Sequence, residues 1–245
     1  MGLFRRKTQI IKPRLPEGIR IYAVGDVHGR SDLLNQVFRV IDVDLANSAP
    51  QRAIEVYLGD YVDRGPDSCG VLDLLIWRSS VRETVCLKGN HEAFMLDALE
   101  NPKRVGEWRQ YGGLPTLMSY GLHPSINPSP EEQVQLIAGL NAALPESHVA
   151  FMRGLPSSFV CGDYFFVHAG VRPGVPLEAQ RDEDMLWIRD EFLSCEDHFG
   201  KYIVHGHTPV PVPDIRPNRI NIDTGAYATG NLTLLSVQGD SMMAI

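Results

Sequence analysis

Cysteine is scarce in this chain: four residues in 245, at positions 69, 86, 161 and 195, with no Cys-x-x-Cys pair among them. That spacing suggests neither a disulfide framework nor a thiolate zinc knuckle, and it fits a reducing cytoplasm. Long apolar runs are missing too. No stretch approaches the roughly 18 residues that span a bilayer, and no signal-peptide apolar segment follows Met1, so stable membrane insertion is not expected. Basic surplus is also absent. With 23 Lys and Arg against 30 Asp and Glu, the net charge is -7 and the isoelectric point near 5.6, which argues against a nucleic-acid partner, whose phosphates need a clustered basic surface. No coiled coil or low-complexity segment is found.

What is present is an ordinary globular composition, 44% hydrophobic and 22% charged, long enough for one large core. Residues 1–17 begin with the basic run Met1-Gly2-Leu3-Phe4-Arg5-Arg6-Lys7 and read as a solvated tail; Arg6 stands where a myristoylation signal requires Ser or Thr. Residues 18–245 read as a single domain. Its first third alternates strand and helix signals. Ile19 to Val24 is a buried-strand pattern, and Ser31 is placed to cap a helix with Leu33, Leu34, Val37, Phe38 and Ile41 on one face. Ala53 to Leu58 with Asp67 to Trp77, and Val81 to Leu87 with His91 to Leu99, repeat the unit. Three βα units imply a mainly parallel sheet with ligands at the carboxyl ends of its strands.

Residues 101–156 change character: Trp108, Tyr111, Gly112-Gly113 and several prolines interrupt short helical patterns. They read as a helical excursion walling one side of the site. Short strands are expected afterwards at Ser157 to Cys161, Tyr164 to Val167, Lys201 to Val204, Arg219 to Ile222 and Leu232 to Val237, the first two joined in a hairpin at Gly162. Pro209 to Pro217 reads as a rigid surface loop.

Three strand ends carry one chemical theme: Gly25-Asp26-Val27-His28-Gly29, Gly59-Asp60-Tyr61-Val62-Asp63-Arg64-Gly65 and Gly89-Asn90-His91-Glu92. Val167-His168-Ala169-Gly170 and His205-Gly206-His207-Thr208 add imidazoles. Asp26 and His28, two apart on an extended turn, can grip one ion that Asp60 completes. The second oxygen of Asp60 reaches another ion held by Asn90, His168 and His207, at the roughly 3.5 to 4 Å separation of two-metal sites. Nitrogen and oxygen donors without thiolate suit manganese first, with iron or zinc as alternatives. A water shared by such a pair is acidified to hydroxide and placed for in-line attack on a phosphoryl group, so phosphoester hydrolysis is the reaction expected. Arg64 offers a bidentate fork to phosphate oxygens, and Arg189 in Leu186-Trp187-Ile188-Arg189 is a second candidate fork. His91, oriented by Asp63, is the candidate proton donor to the leaving oxygen. His205 reads as structural, Trp108 and Tyr111 as core aromatics, and Glu92 as a helix cap.

These five blocks, in this order and spacing, resemble the calcineurin-like metallophosphoesterases, in particular the branch of serine/threonine phosphoprotein phosphatases that includes bacterial and phage enzymes. The likeness runs from about residue 19 to residue 239. It implies a central β-sandwich of mixed sheets flanked by helices, which amends the simple parallel sheet. It also implies metal roles for Asp26, His28, Asp60, Asn90, His168 and His207, a proton-donating pair in His91 and Asp63, and phosphate contacts from Arg64 and Asn90, with Arg189 matched by its tryptophan context alone. The implied partner is a phosphoserine or phosphothreonine protein or peptide. Diadenosine tetraphosphatases share the same blocks, so a dinucleoside polyphosphate is the alternative, and a non-catalytic phospho-binding module a third. Two positions depart from the wider pattern: Pro209 replaces a histidine two places after His207, and Lys88 stands where eukaryotic relatives carry arginine.

Overall fold

A computed structural model describes residues 12–245. Most of the basic tail, residues 1–11, therefore lies outside the described residues. The part that is described is anchored earlier than expected: Leu15 is buried, its N–H bonds to the Gly239 carbonyl at 2.8 Å, and Arg14 N–H donates to Asp163.

The βα units form as their periodicity requires. β1 (Ile19–Val24), β2 (Arg52–Tyr57) and β3 (Thr84–Cys86) run parallel, crossed over by α1 (Ser31–Asn47) and α2 (Ser68–Val81), with α3 (Asn90–Glu100) after β3. The excursion contains α4 (Val105–Trp108), α5 (Gly113–Ser119), α6 (Pro130–Ala143) and α7 (Glu146–Arg153). β4 (Ser158–Cys161) and β5 (Tyr164–Val167) make the Gly162 hairpin, followed by α8 (Asp182–Trp187), α9 (Asp190–Leu193), β6 (Tyr202–His205), β7 (Asp214–Ile215), β8 (Arg219–Asn221), α10 (Ala226–Thr229), β9 (Leu234–Gln238) and β10 (Ser241–Ala244).

Two mixed five-stranded sheets result, ordered β10-β9-β1-β2-β3 and β4-β5-β6-β8-β7. Strand alternation sorts side chains to opposite faces. Ile21, Ala23, Ile54 and Val56 of one sheet pack against Tyr164, Phe166, Val204 and Ile220 of the other, while Tyr22, Val24 and Tyr57 face the helices. On the far side Phe165, Val167 and Ile203 meet Met185, Ile188 and Phe192. Helices thus cover both outer faces of a β-sandwich.

Three local readings change. Ser31 does not cap α1; its hydroxyl donates to the Asp67 carboxylate instead, and Arg30 precedes the helix without a side-chain cap. The proline-rich loop contains β7, paired antiparallel with β8. β10 is an added edge strand whose residues are mostly exposed, so it carries no buried-face alternation for a sequence reading to find.

Candidate metal centre

In the first sheet β1, β2 and β3 are parallel, and in the second so are β5, β6 and β8. Each set presents its carboxyl ends together, and the motifs sit just beyond those ends. Loop-to-loop bonds then lock them: Val27 and His28 N–H donate to the Asp60 carbonyl, Gly29 N–H to that of Tyr61, and Gly206 N–H to that of His168. Glu92 does more than cap α3. Its buried carboxylate accepts from Gly89 N at 2.9 Å, and also from Asp60 N, Tyr61 N and Val62 N at 2.9, 2.7 and 3.2 Å, tying two motifs together.

Asp60 stands at the centre. Its Oδ2 lies 3.5 Å from His28 Nε2 and 3.8 Å from His91 Nε2, and its Oδ1 lies 3.4 Å from His168 Nε2. Burial works to raise this carboxyl, but the imidazoles of His168, His91 and His28 outweigh burial and hold it well below the usual carboxylate range. Potential ligand atoms of His28, Asp60 and His91 lie within 4.8 Å of one another, as do those of Asp60, His168 and His207. Asn90 Oδ1 is 2.9 Å from His168 Nε2, which also faces His207 Nδ1 at 3.1 Å.

The tautomers follow from the second nitrogens. His28 Nδ1 is 2.9 Å from the Val62 carbonyl and His168 Nδ1 is 2.9 Å from the Leu58 carbonyl. A carbonyl only accepts, so each Nδ1 carries the hydrogen and each Nε2 turns a lone pair inward. His28 Nε2 is buried with no hydrogen-bond partner. The lone pairs of His28 and His168 converge on the Asp60 carboxylate, whose Oδ1 also accepts from His91 N at 3.1 Å, a donor set that fits divalent cations. Burial pushes His28 down to about 3 and His207 to about 2, so both imidazoles are neutral, as ligation needs.

The remaining expected residues are placed as follows. Asp26 is buried beside the centre but belongs to neither trio; its carboxylate accepts from His207 N at 3.1 Å. Burial, then the charges of Asp223 and Asp60, raise it well above the usual range. His91 Nδ1 is 2.7 Å from Asp63 Oδ2, and its Nε2 is 3.2 Å from Arg64 Nη2. Burial disfavours charge on His91, yet Asp60 and Asp63 outweigh it and raise the imidazole. The Arg64 guanidinium lies 4.9 Å over the Tyr227 ring. Arg189 is exposed and lines, with Trp187 and Arg172, a polar cleft of about 460 Å³. Trp187 approaches the His207 ring edge-on at 6.2 Å and Tyr111 at 6.1 Å, so both aromatics border the centre. His205 is buried against Phe192, outside both trios, and His148 is a satisfied core residue between Tyr120 and Asp73.

Backbone conformation singles out the same residues. Among the described residues, the non-glycine positions with positive φ are His28, Asp60, Asp63, Arg64 and His207. That conformation costs about 1 kcal/mol or more at each, a cost the surrounding hydrogen bonds must offset to aim these side chains.

Sequence reasoning missed several contributors. Asp223 is buried next to Asp26, its carboxyl pushed up to about 6 by burial. Ile222-Asp223-Thr224-Gly225 follows a strand just as the other motifs do, and that punctuation was the available signal. Trp108 and Thr116 reach Asp63, and Tyr227 borders His28. Their partners are distant in sequence, and no local pattern announces them.

The fold and this centre fit one class, the metal-dependent phosphoester hydrolases. The model of the calcineurin-like phosphoesterase family matches residues 19–236, and the chain belongs to that family, which implies a dinuclear divalent metal site. Serine/threonine-protein phosphatase 1 of Salmonella typhimurium is 30% identical over 229 residues, covering 89% of this chain and 92% of that protein. Bis(5'-nucleosyl)-tetraphosphatase PrpE of Halalkalibacterium halodurans is 25% identical over 234 residues, covering 86% and 87%. Among solved structures, one described provisionally as a diadenosine tetraphosphatase superposes with a TM-score of 0.66 at 19% identity, covering 92% of each chain. A cold-active protein tyrosine phosphatase reaches 0.57 at 16% identity, covering 94% of this chain and 78% of that one. At those identities the structural matches speak for the fold.

Proposed function

We propose that this chain is a two-metal phosphomonoesterase acting on phosphoserine and phosphothreonine in proteins, with manganese as its working ion. One observation carries the reading: the two carboxylate oxygens of Asp60 turn to different imidazoles, Oδ2 to His28 at 3.5 Å and Oδ1 to His168 at 3.4 Å. Asp26, His28 and Asp60 would hold one ion, and Asp60, Asn90, His168 and His207 the other. When bound, the ions neutralise phosphoryl charge and acidify water near neutral pH.

The chain's own groups do the rest. Arg64, and Arg189 from the cleft side, bind phosphoryl oxygens and orient the ester in line. The oxygen of water bonds to phosphorus as the ester P–O bond breaks. The departing oxygen keeps the electron pair and takes a proton from His91 Nε2, and the proton shed by the water returns to His91 through solvent. Asp63 keeps that imidazole oriented. The 30% identity to a serine/threonine-protein phosphatase supports the protein substrate, and the similarity to tetraphosphatases keeps the dinucleoside polyphosphate as the competing reading. Rates of the manganese-loaded protein on phosphoserine, phosphothreonine and phosphotyrosine peptides and on diadenosine tetraphosphate, measured side by side, decide between them. Phosphoserine and phosphothreonine peptides should turn over fastest, and faster hydrolysis of the tetraphosphate, whether to two ADP or to ATP and AMP, would overturn the assignment.

A further inference from the structure

The helical excursion reaches the chemistry through one short segment. Trp108 is fully buried at the end of α4, and its indole Nε1–H donates to Asp63 Oδ2 at 2.8 Å. Thr116 of α5 donates its hydroxyl to Asp63 Oδ1 at 2.7 Å and accepts from Asp63 N at 2.9 Å. Between them, the Gly112 carbonyl accepts from Arg64 N at 2.9 Å. The two glycines are there for space. A Cβ on Gly113 would stand 2.5 Å from the Trp108 indole, and one on Gly112, whose φ is +98°, would stand 2.8 Å from Arg64 Cγ.

Indole N–H only donates, and the threonine hydroxyl hydrogen is directed at Asp63. Both partners from the excursion therefore require the Asp63 carboxylate to accept, which leaves His91 to present Nδ1–H at 2.7 Å and aim Nε2 at the ester. Asp63 and Arg64 are adjacent and both at positive φ, and outside the excursion Ser68 Oγ also accepts from Asp63 N at 3.0 Å and lies 2.9 Å from Thr116 Oγ1. We infer that the segment Trp108 to Thr116 is a positioning element: Trp108 and Thr116 hold the Asp63 carboxylate so that His91 protonates the leaving oxygen. The inference rests on the proton-donor role proposed for His91.

Leaving-group chemistry tests it. The serine alkoxide needs a proton to depart, whereas p-nitrophenolate leaves without one, so a fault in proton delivery appears in the ratio of the two rates. Thr116→Val, close in shape but without the hydroxyl, and Trp108→Phe should each lower the phosphoserine-peptide to p-nitrophenyl phosphate ratio of kcat roughly 10- to 100-fold. Thr116→Ser should restore it. In a His91→Ala background the same changes should shift the ratio by no more than about twofold, since residues acting through one group are not additive.

Equal loss on both substrates, or an undiminished effect without His91, would overturn the role and leave these residues as packing alone. Should either variant fold poorly, hydrogen exchange of the Trp108 indole N–H in the wild type decides the bond itself: protection for hours is expected, and exchange within minutes would refute it. A wild-type enzyme inert toward both substrates is a different result and strikes the functional reading instead.

Discussion

A methyl group added at Gly89 tests how tightly the centre is built. The ideal Cβ would lie 2.2 Å from Asp60 N, 2.2 Å from Asp60 Oδ1 and 2.7 Å from Glu92 Oε2, where real Cβ contacts essentially never fall below 3.0 Å. Relief needs a displacement of about 0.8 Å, and the first contact is backbone, which cannot rotate away. The group that moves is Asp60, whose oxygens divide the two imidazole sets, together with the Glu92 carboxylate that gathers four N–H groups. Overpacking of this kind costs about 1 to 3 kcal/mol, or roughly 2 to 10 °C in Tm for a chain of this size. Function should suffer more than stability. A misplacement near 1 Å costs on the order of 100-fold in rate, so Gly89→Ala should remain folded, bind added manganese more weakly than wild type and lose about two decades of kcat/KM. Calorimetric metal titration, thermal unfolding and p-nitrophenyl phosphate turnover measure all three. A Gly89→Ala protein that binds two manganese ions with wild-type affinity and turns over within about threefold of wild type would refute the reasoning.

Other consequences are as definite. Burial, then the Arg219 charge, pushes His205 down to about 3, so its contribution is fully present above the unfolded value near 6.5 and is lost as pH falls toward 3. In metal-free protein His205→Gln should remove about 2 kcal/mol of the stability lost between pH 7.5 and 5, as read by urea unfolding at both pH values; an unchanged difference would contradict it. Manganese at about 100 times its Kd should raise unfolding free energy by about 2.7 kcal/mol per site and chelation should reverse the gain; an unmoved Tm contradicts the candidate centre. Arg64→Lys keeps charge but loses the fork and weakens the stacking on Tyr227 at 4.9 Å, so phosphopeptide kcat/KM should fall at least about tenfold with Tm nearly unchanged.

Much of this architecture was legible because the βα units are long, periodic and local. β1 and α1 follow directly from apolar spacing, and Gly-Asp and Gly-Asn punctuation marks where strands stop. The short strands at the sheet edges were harder. β7, at the edge of the second sheet, is two residues among prolines, and β10, at the edge of the first, is exposed, so neither carries a period to read. Within the centre, ligand types and their strand-end positions could be read, but the hands that hold them could not. Trp108 looked like an ordinary core aromatic because burial and apolar mass dominate its local signal, and its donor atom becomes informative only when Asp63, 45 residues away, is seen beside it. Glu92 reads as a cap from its position three residues after Gly89, and that reading is correct but incomplete, since three of its four bonds reach back to the Asp60 loop. Asp223 escaped because one Asp-Thr-Gly after a strand is common turn chemistry.

The proposed two-metal centre requires Asp60 to lie between two cations. Anomalous diffraction from crystals soaked in manganese tests it most directly. Two peaks about 3.5 to 4 Å apart, one on the His28 side of the Asp60 carboxylate and one on the His168 side, are predicted; a lone peak, or a pair remote from that side chain, would contradict it.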